Sequence, residues 1–224
     1  INTPVSEKIF GTEDQVTISW QASDNWKLGW AKSYYRYSSI KDFVFIDSSD
    51  ATVGQHIWEV PDSTLSFTND IMVIVSDLES NTARDTMDGV FAIIDNTKPT
   101  ISISKPTKGF LVKEYDRVNV SWTATDNIEM DSIKVYHRSS QNGNYTLIKS
   151  ISSDSTETSY DVPFGVSNYA TAKLVAIDKS GNTNESISEY FTITDNTPPT
   201  VALTNPSEND RFEIGTPISV DWIG

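Results

Sequence analysis

Val16-Thr17-Ile18-Ser19-Trp20 returns as Val118-Asn119-Val120-Ser121-Trp122 and once more as Ile218-Ser219-Val220-Asp221-Trp222. The three tryptophans stand 102 and 100 positions apart. Around the first two copies the likeness widens in a fixed order. Ala22-Ser23-Asp24-Asn25 matches Ala124-Thr125-Asp126-Asn127, and Lys32-Ser33-Tyr34-Tyr35-Arg36 matches Lys134-Val135-Tyr136-His137-Arg138. Trp58-Glu59-Val60-Pro61 matches Tyr160-Asp161-Val162-Pro163, and Val75 to Asn81 matches Ala176 to Asn182. Phe91 to Thr97 then matches Phe191 to Thr197. Chance does not place so many matches in one order, so the chain must be read repeat by repeat.

The repeat sets the expected organisation: unit one over 1–97, unit two over 98–197, and the opening strands of a third unit over 198–224. Asp95-Asn96-Thr97-Lys98-Pro99-Thr100 and Asp195-Asn196-Thr197-Pro198-Pro199-Thr200 are the linkers, stiffened by proline. Pro4 matches Pro106 and Pro206, so unit one lacks its upstream linker and both ends are expected to cut through repeats, as in a slice of a longer array. Within a unit, Val118, Val120 and Trp122 alternate with Asn119 and Ser121, the period of a strand with one buried face. Ile133 and Val135 alternate likewise, and Leu174 to Ile177 is apolar throughout, as a central strand would be. Gln141 to Asn144 and Asp178 to Asn182 read as hairpin turns with Gly available for positive φ. Strand signals every 8–12 residues or so predict seven strands per unit in two antiparallel sheets, with no helix.

Composition excludes several functions. The chain of 224 residues carries 17 Lys plus Arg against 31 Asp plus Glu, a net charge of −14, which speaks against a nucleic-acid groove and suits a surface that collects cations. Cysteine is absent, so disulfides and thiolate metal sites are excluded. Ile71 to Val75 is too short to cross a bilayer, and no membrane insertion is expected in this segment. The two histidines, His56 and His137, lie at unrelated positions in different units and support no catalytic triad.

Taken with the Asp-Asn-Thr-Pro-Pro linker, these motifs resemble the tandem immunoglobulin-like repeats of bacterial and archaeal surface proteins. The Trp of the second strand and the Tyr of the third are also similar to fibronectin type III modules. The resemblance implies an all-β chain of immunoglobulin-like sandwiches located at the cell surface or secreted. It does not assign an activity, because such modules serve adhesins, surface layers and extracellular enzymes alike.

In such a sandwich the incoming linker arrives beside the loops that join the second to the third strand and the sixth to the seventh. In unit two this gathers Asp95 and Asn96, Asp126 and Asn127, and Asp178 and Asn182. Three carboxylates and three amides form an oxygen-rich, negative set suited to Ca²⁺. In the calcium-binding adhesins that these repeats resemble, the linker Asp and the Asp of the Asp-x-x-Gly-Asn turn are ligands, which implies Asp95 and Asp178; Asp126 is added by topology. The same residues also make ordinary Asx turns without metal, and both readings stand. Unit one keeps Asp24, Asp77 and Asn81 but has Ser80 in place of Gly181, so its turn is expected to differ.

Trp26 and Trp30 are the candidate ligand contacts, since unit two has Ile128 and Ser132 there. For Trp26 the alternative is an apolar plug equivalent to Ile128. Asn119, Asn144 and Asn184 open Asn-x-Ser/Thr patterns. The function expected is a non-catalytic spacer whose partners are neighbouring repeats. The alternatives are an adhesive module that binds a surface glycan or a protein of another cell, and an accessory part of an extracellular enzyme or surface layer.

Overall fold

The computed structural model describes residues 1–62 and 65–224. Unit one holds β1 (Ile9–Gly11), β2 (Gln15–Ser19), β3 (Leu28–Arg36), β4 (Val44–Asp50), β5 (Gln55–Glu59), β6 (Ser66–Asp77), β7 (Thr82–Thr86) and β8 (Phe91–Ile94). Unit two holds β9 (Thr100–Lys105), β10 (Leu111–Lys113), β11 (Arg117–Thr125), β12 (Met130–Arg138), β13 (Thr146–Ser152), β14 (Glu157–Asp161), β15 (Ser167–Asp178), β16 (Thr183–Ile187) and β17 (Phe191–Thr194). A last pair, β18 (Ala202–Asn205) and β19 (Asp221–Ile223), is antiparallel.

In unit two the larger sheet runs β10-β17-β15-β12-β13, with β16 also on β15, and it faces the sheet β14-β11-β9. Two strands are interrupted. The first is split into β9, antiparallel to β11, and β10, parallel to β17, so it passes from one sheet to the other. The last is split into β16 and β17, both paired with β15. Counting each interrupted strand once yields seven. Unit one repeats the plan with β1-β8-β6-β3-β4, β7 on β6, and β2-β5 opposite. A cis Xaa-Pro bond recurs at Thr3-Pro4, Lys105-Pro106 and Asn205-Pro206.

Alternation in the sequence becomes burial here. Val118, Val120 and Trp122 are inside, as are Val16, Ile18 and Trp20. Each unit closes around its own apolar cluster, and the two clusters share no residue. Burial of one such Val, Ile or Trp stabilises by about 1.5–3 kcal/mol, so a dozen of them support an independent core. Among the described residues the departures from an all-strand reading are small. Ala51–Val53 forms one 3-10 turn, entered through Asp50, whose carboxylate accepts from the Thr52 amide at 2.8 Å, and left through Gly54 at φ 73°. Gly143 takes no positive φ, so the turn at 141–144 does not use its freedom. No helix among the described residues is long and apolar enough to cross a membrane.

Candidate cation centre at the junction

Asp95 leaves the end of β8, Asp126 follows β11, and Asp178 ends β15. The fold brings one carboxylate oxygen of each within 4.8 Å of the others. Asp95 and Asp178 are 6% and 2% exposed. At an effective dielectric constant near 20, each pair of charges at that separation repels by roughly 3–4 kcal/mol. The local backbone holds them there. Asp95 accepts from Thr97 N at 3.0 Å, and Asp126 accepts from Ile128 N and Glu129 N at 3.0 and 3.1 Å. Asp178 accepts from Asn182 N and Asn182 Nδ2, both at 2.8 Å.

These are the Asx turns expected from the sequence, yet they leave oxygens unused. Asp95 Oδ2, Asp126 Oδ1 and Asn127 Oδ1 are buried and have no hydrogen-bond partner. A buried carboxylate oxygen without a donor costs free energy that a cation offsets. Oxygens that share one Ca²⁺ at about 2.3–2.6 Å lie no more than about 5 Å apart, which the cluster meets. The donor set is all oxygen, the preference of a hard cation.

The other candidates divide. Asn182 donates to Asp178 and, at 3.2 Å, to the Asp95 carbonyl, so it ties the two acids together. Asn127 donates to Asp62 Oδ1 at 3.0 Å and to Thr12 Oγ1 at 3.4 Å, both in unit one. Asn96 turns toward unit one, its carboxamide against the Cα of Gly11. Asp62 and Thr12 were not foreseen, because their unit-two counterparts Phe164 and Glu114 carry no matching signal. Pro99 is buried and its carbonyl accepts from Asn184 Nδ2 at 2.9 Å, which anchors the linker to unit two.

Unit one rebuilds part of the arrangement. Asp24 accepts from Trp26 N and Lys27 N at 2.7 and 3.0 Å, and Asp77 accepts from Asn81 N and Nδ2 at 2.8 and 2.6 Å. The side-chain bond from Asn81 holds the Asp77 carboxyl below its ordinary range. Contrary to expectation the Ser80 turn does not differ in kind, since Ser80 adopts φ 69° where Gly181 adopts 89°. Asp195 accepts from Thr197 N at 2.7 Å, as Asp95 does from Thr97 N.

Trp26 is 82% exposed at its loop. Trp30 is half-buried on β3, with the Lys32 ammonium 4.4 Å from its ring centroid. Both histidines are buried beside hydroxyls. His56 bonds Ser33 at 2.7 Å and Ser49 at 2.9 Å; His137 bonds Tyr160 and Ser139, each at 2.9 Å. Burial lowers both imidazoles, His137 to about 4.

Residues 99–178 match the family model of the bacterial Ig domain. Among solved structures, the fibronectin(III)-like modules of CbhA from Clostridium thermocellum are similar at 10% identity and a TM-score of 0.41, over 95% of this chain and 98% of that one. The N-terminal four Ig domains of Dscam1 isoform 8.4 are similar at 8% identity and a TM-score of 0.37, over 85% and 44%. Chicken CNTN1 FN1–FN3 domains are similar at 12% and 0.30, over 84% and 64%. No curated protein matches. The chain is thus all-β, built as successive sandwiches, and the bacterial Ig domain match falls within its second unit.

Proposed function

We propose that the chain is a non-catalytic spacer of a secreted or cell-surface protein, in which successive immunoglobulin-like sandwiches are stiffened at their junction by Ca²⁺. The observation that carries this reading is the trio Asp95, Asp126 and Asp178, whose oxygens lie within 4.8 Å of one another while Asp95 Oδ2 and Asp126 Oδ1 stay buried without donors. Asp95 belongs to the linker and the other two to loops of unit two, so an ion bound by all three fixes the linker against that unit. Asn127 extends the grip to Asp62 and Thr12 of unit one. The held Pro99 carbonyl shortens the free part of the connection. A spacer needs no reacting group, and both histidines are sealed in separate cores.

The test is thermal melting and small-angle scattering of the whole chain in Ca²⁺ and in chelator. Saturation at about a hundred times Kd adds about 3 kcal/mol to the folded state, so melting rises by several degrees and the scattering profile narrows to one interdomain arrangement. Asp178→Asn removes both effects. Identical melting and scattering in the two solutions dismiss the ion.

A further inference from the structure

The sheet containing β3 has an outward face that the junction does not use. Ala31 and Ser33 point into the core, fully buried, so Trp30, Lys32 and Tyr34 point outward. Across the ladder Tyr34 stands opposite Phe45 on β4, and Lys32 stands opposite Ile74 on β6. Ile74 in turn stands opposite Arg84 on β7. Tyr34 and Phe45 meet edge to face at 5.7 Å, and Phe45 is 52% exposed. Neither Lys32 nor Arg84 has a carboxylate within ion-pair distance among the described residues.

Unit two shows that the fold does not require this. There the same ladder positions hold Lys173 and Glu185 in place of Met72 and Arg84, and the two pair at 3.1 Å. Leu147 replaces Phe45 and Ser132 replaces Trp30. Lys134, at the position of Lys32, has no ion pair either among the described residues, so the charge contrast lies at Arg84, where unit two has the paired Glu185. The face of unit one joins the Tyr34 and Phe45 rings to two cations without carboxylate partners among the described residues. Lys32 lies over Trp30, while Arg36 on the same face is paired with Asp70 at 2.7 Å.

We propose that this face of unit one binds an acidic polysaccharide, whose sugar rings stack on Tyr34 and Phe45 while its uronate carboxylates pair with Lys32 and Arg84. Charge decides the occupant. On a chain of net charge −14 an acidic polymer is repelled in general and admitted where cations stand unpaired. Lys32 and Arg84 are separated by two strand spacings, roughly 10 Å, across an open sheet face, which suits an extended polymer rather than a small molecule. Aromatic rings with open faces add apolar contact that an ion-exchange surface lacks. This assignment is independent of the junction ion.

Affinity electrophoresis of the whole chain through polygalacturonate, with chelator present so that no Ca²⁺ bridges two acidic partners, tests it. Retardation is expected in polygalacturonate and absent in neutral dextran. Lys32→Gln and Arg84→Gln each weaken binding about tenfold, the worth of one charge-assisted contact. Tyr34→Ala with Phe45→Ala abolishes binding to the sugar polymer, and near-UV circular dichroism confirms that each variant is folded. Absence of retardation overturns the proposal. So does retardation by polyglutamate that equals that by polygalacturonate and survives loss of the two rings, because the partner is then an acidic protein.

Discussion

The two units share one plan and differ in what they bury. At three facing positions unit one has Ser33, Ser49 and His56, joined by hydrogen bonds of 2.7 and 2.9 Å; unit two has Val135, Ile151 and Thr158. Elsewhere the exchange runs the other way. Unit one stacks Tyr35 on Trp58 at 4.7 Å, whereas unit two places His137 against the hydroxyl of Tyr160. Each polar residue arrives with its partner, and each apolar one with apolar neighbours. The same frame therefore accepts either filling, although Trp122 Nε1 of unit two stays buried without a partner where Trp20 Nε1 of unit one donates to the Ala51 carbonyl at 3.4 Å.

The largest expected effect tests what the units have in common. Trp122→Ala and Trp20→Ala each cost about 3–5 kcal/mol, through lost burial and the cavity left behind. A loss below about 1 kcal/mol in equilibrium denaturation removes the indole from the core.

Next comes acid, which should separate the units. Burial holds His137 at about 4, below the ordinary value of about 6.5, so the unfolded chain takes up the proton first. The contribution is fully present above about pH 6.5 and is lost as pH falls toward about 4, a decline of about 3 kcal/mol. His137→Gln, which does not titrate, flattens that part of the stability curve. Coincident curves for the variant and the parent refute the assignment.

A smaller effect probes the polar cluster of unit one. Ser33→Val leaves His56 Nδ1 without its partner and costs about 1–3 kcal/mol. Exchanging all three residues for those of unit two recovers much of that loss, as measured by urea denaturation. Additive losses instead show that the filling is not interchangeable.

The smallest effect concerns the turn. Gly181→Ser forces a side chain into φ 89° and costs about 1 kcal/mol. Ser80→Gly in unit one gains less than about 1 kcal/mol, because glycine gives back part of the relief as chain entropy. Melting shifts of opposite sign sustain the comparison.

Strand periodicity was legible because burial on one sheet face imposes a period of two, and Val118, Val120 and Trp122 obey it. The acids of the junction were legible because Asx turns and repeat spacing are local. Asp62 and Thr12 were not, since Asn127 reaches them across about 65 and 115 positions by loop packing alone. Trp30 stood out as lacking an apolar counterpart, but its place on an outward face beside Lys32 needed the register of β3 on β6.

By itself the sequence determined the repeat, the strand alternation and the stock of acids, all written in neighbouring residues. Tertiary structure alone decided that oxygens of Asp95 and Asp126 stay buried without donors, and that Lys32 and Arg84 share an outer face with no ion-pair partner among the described residues. The reason is that distance between side chains of remote strands depends on register and sheet packing, which no local pattern encodes.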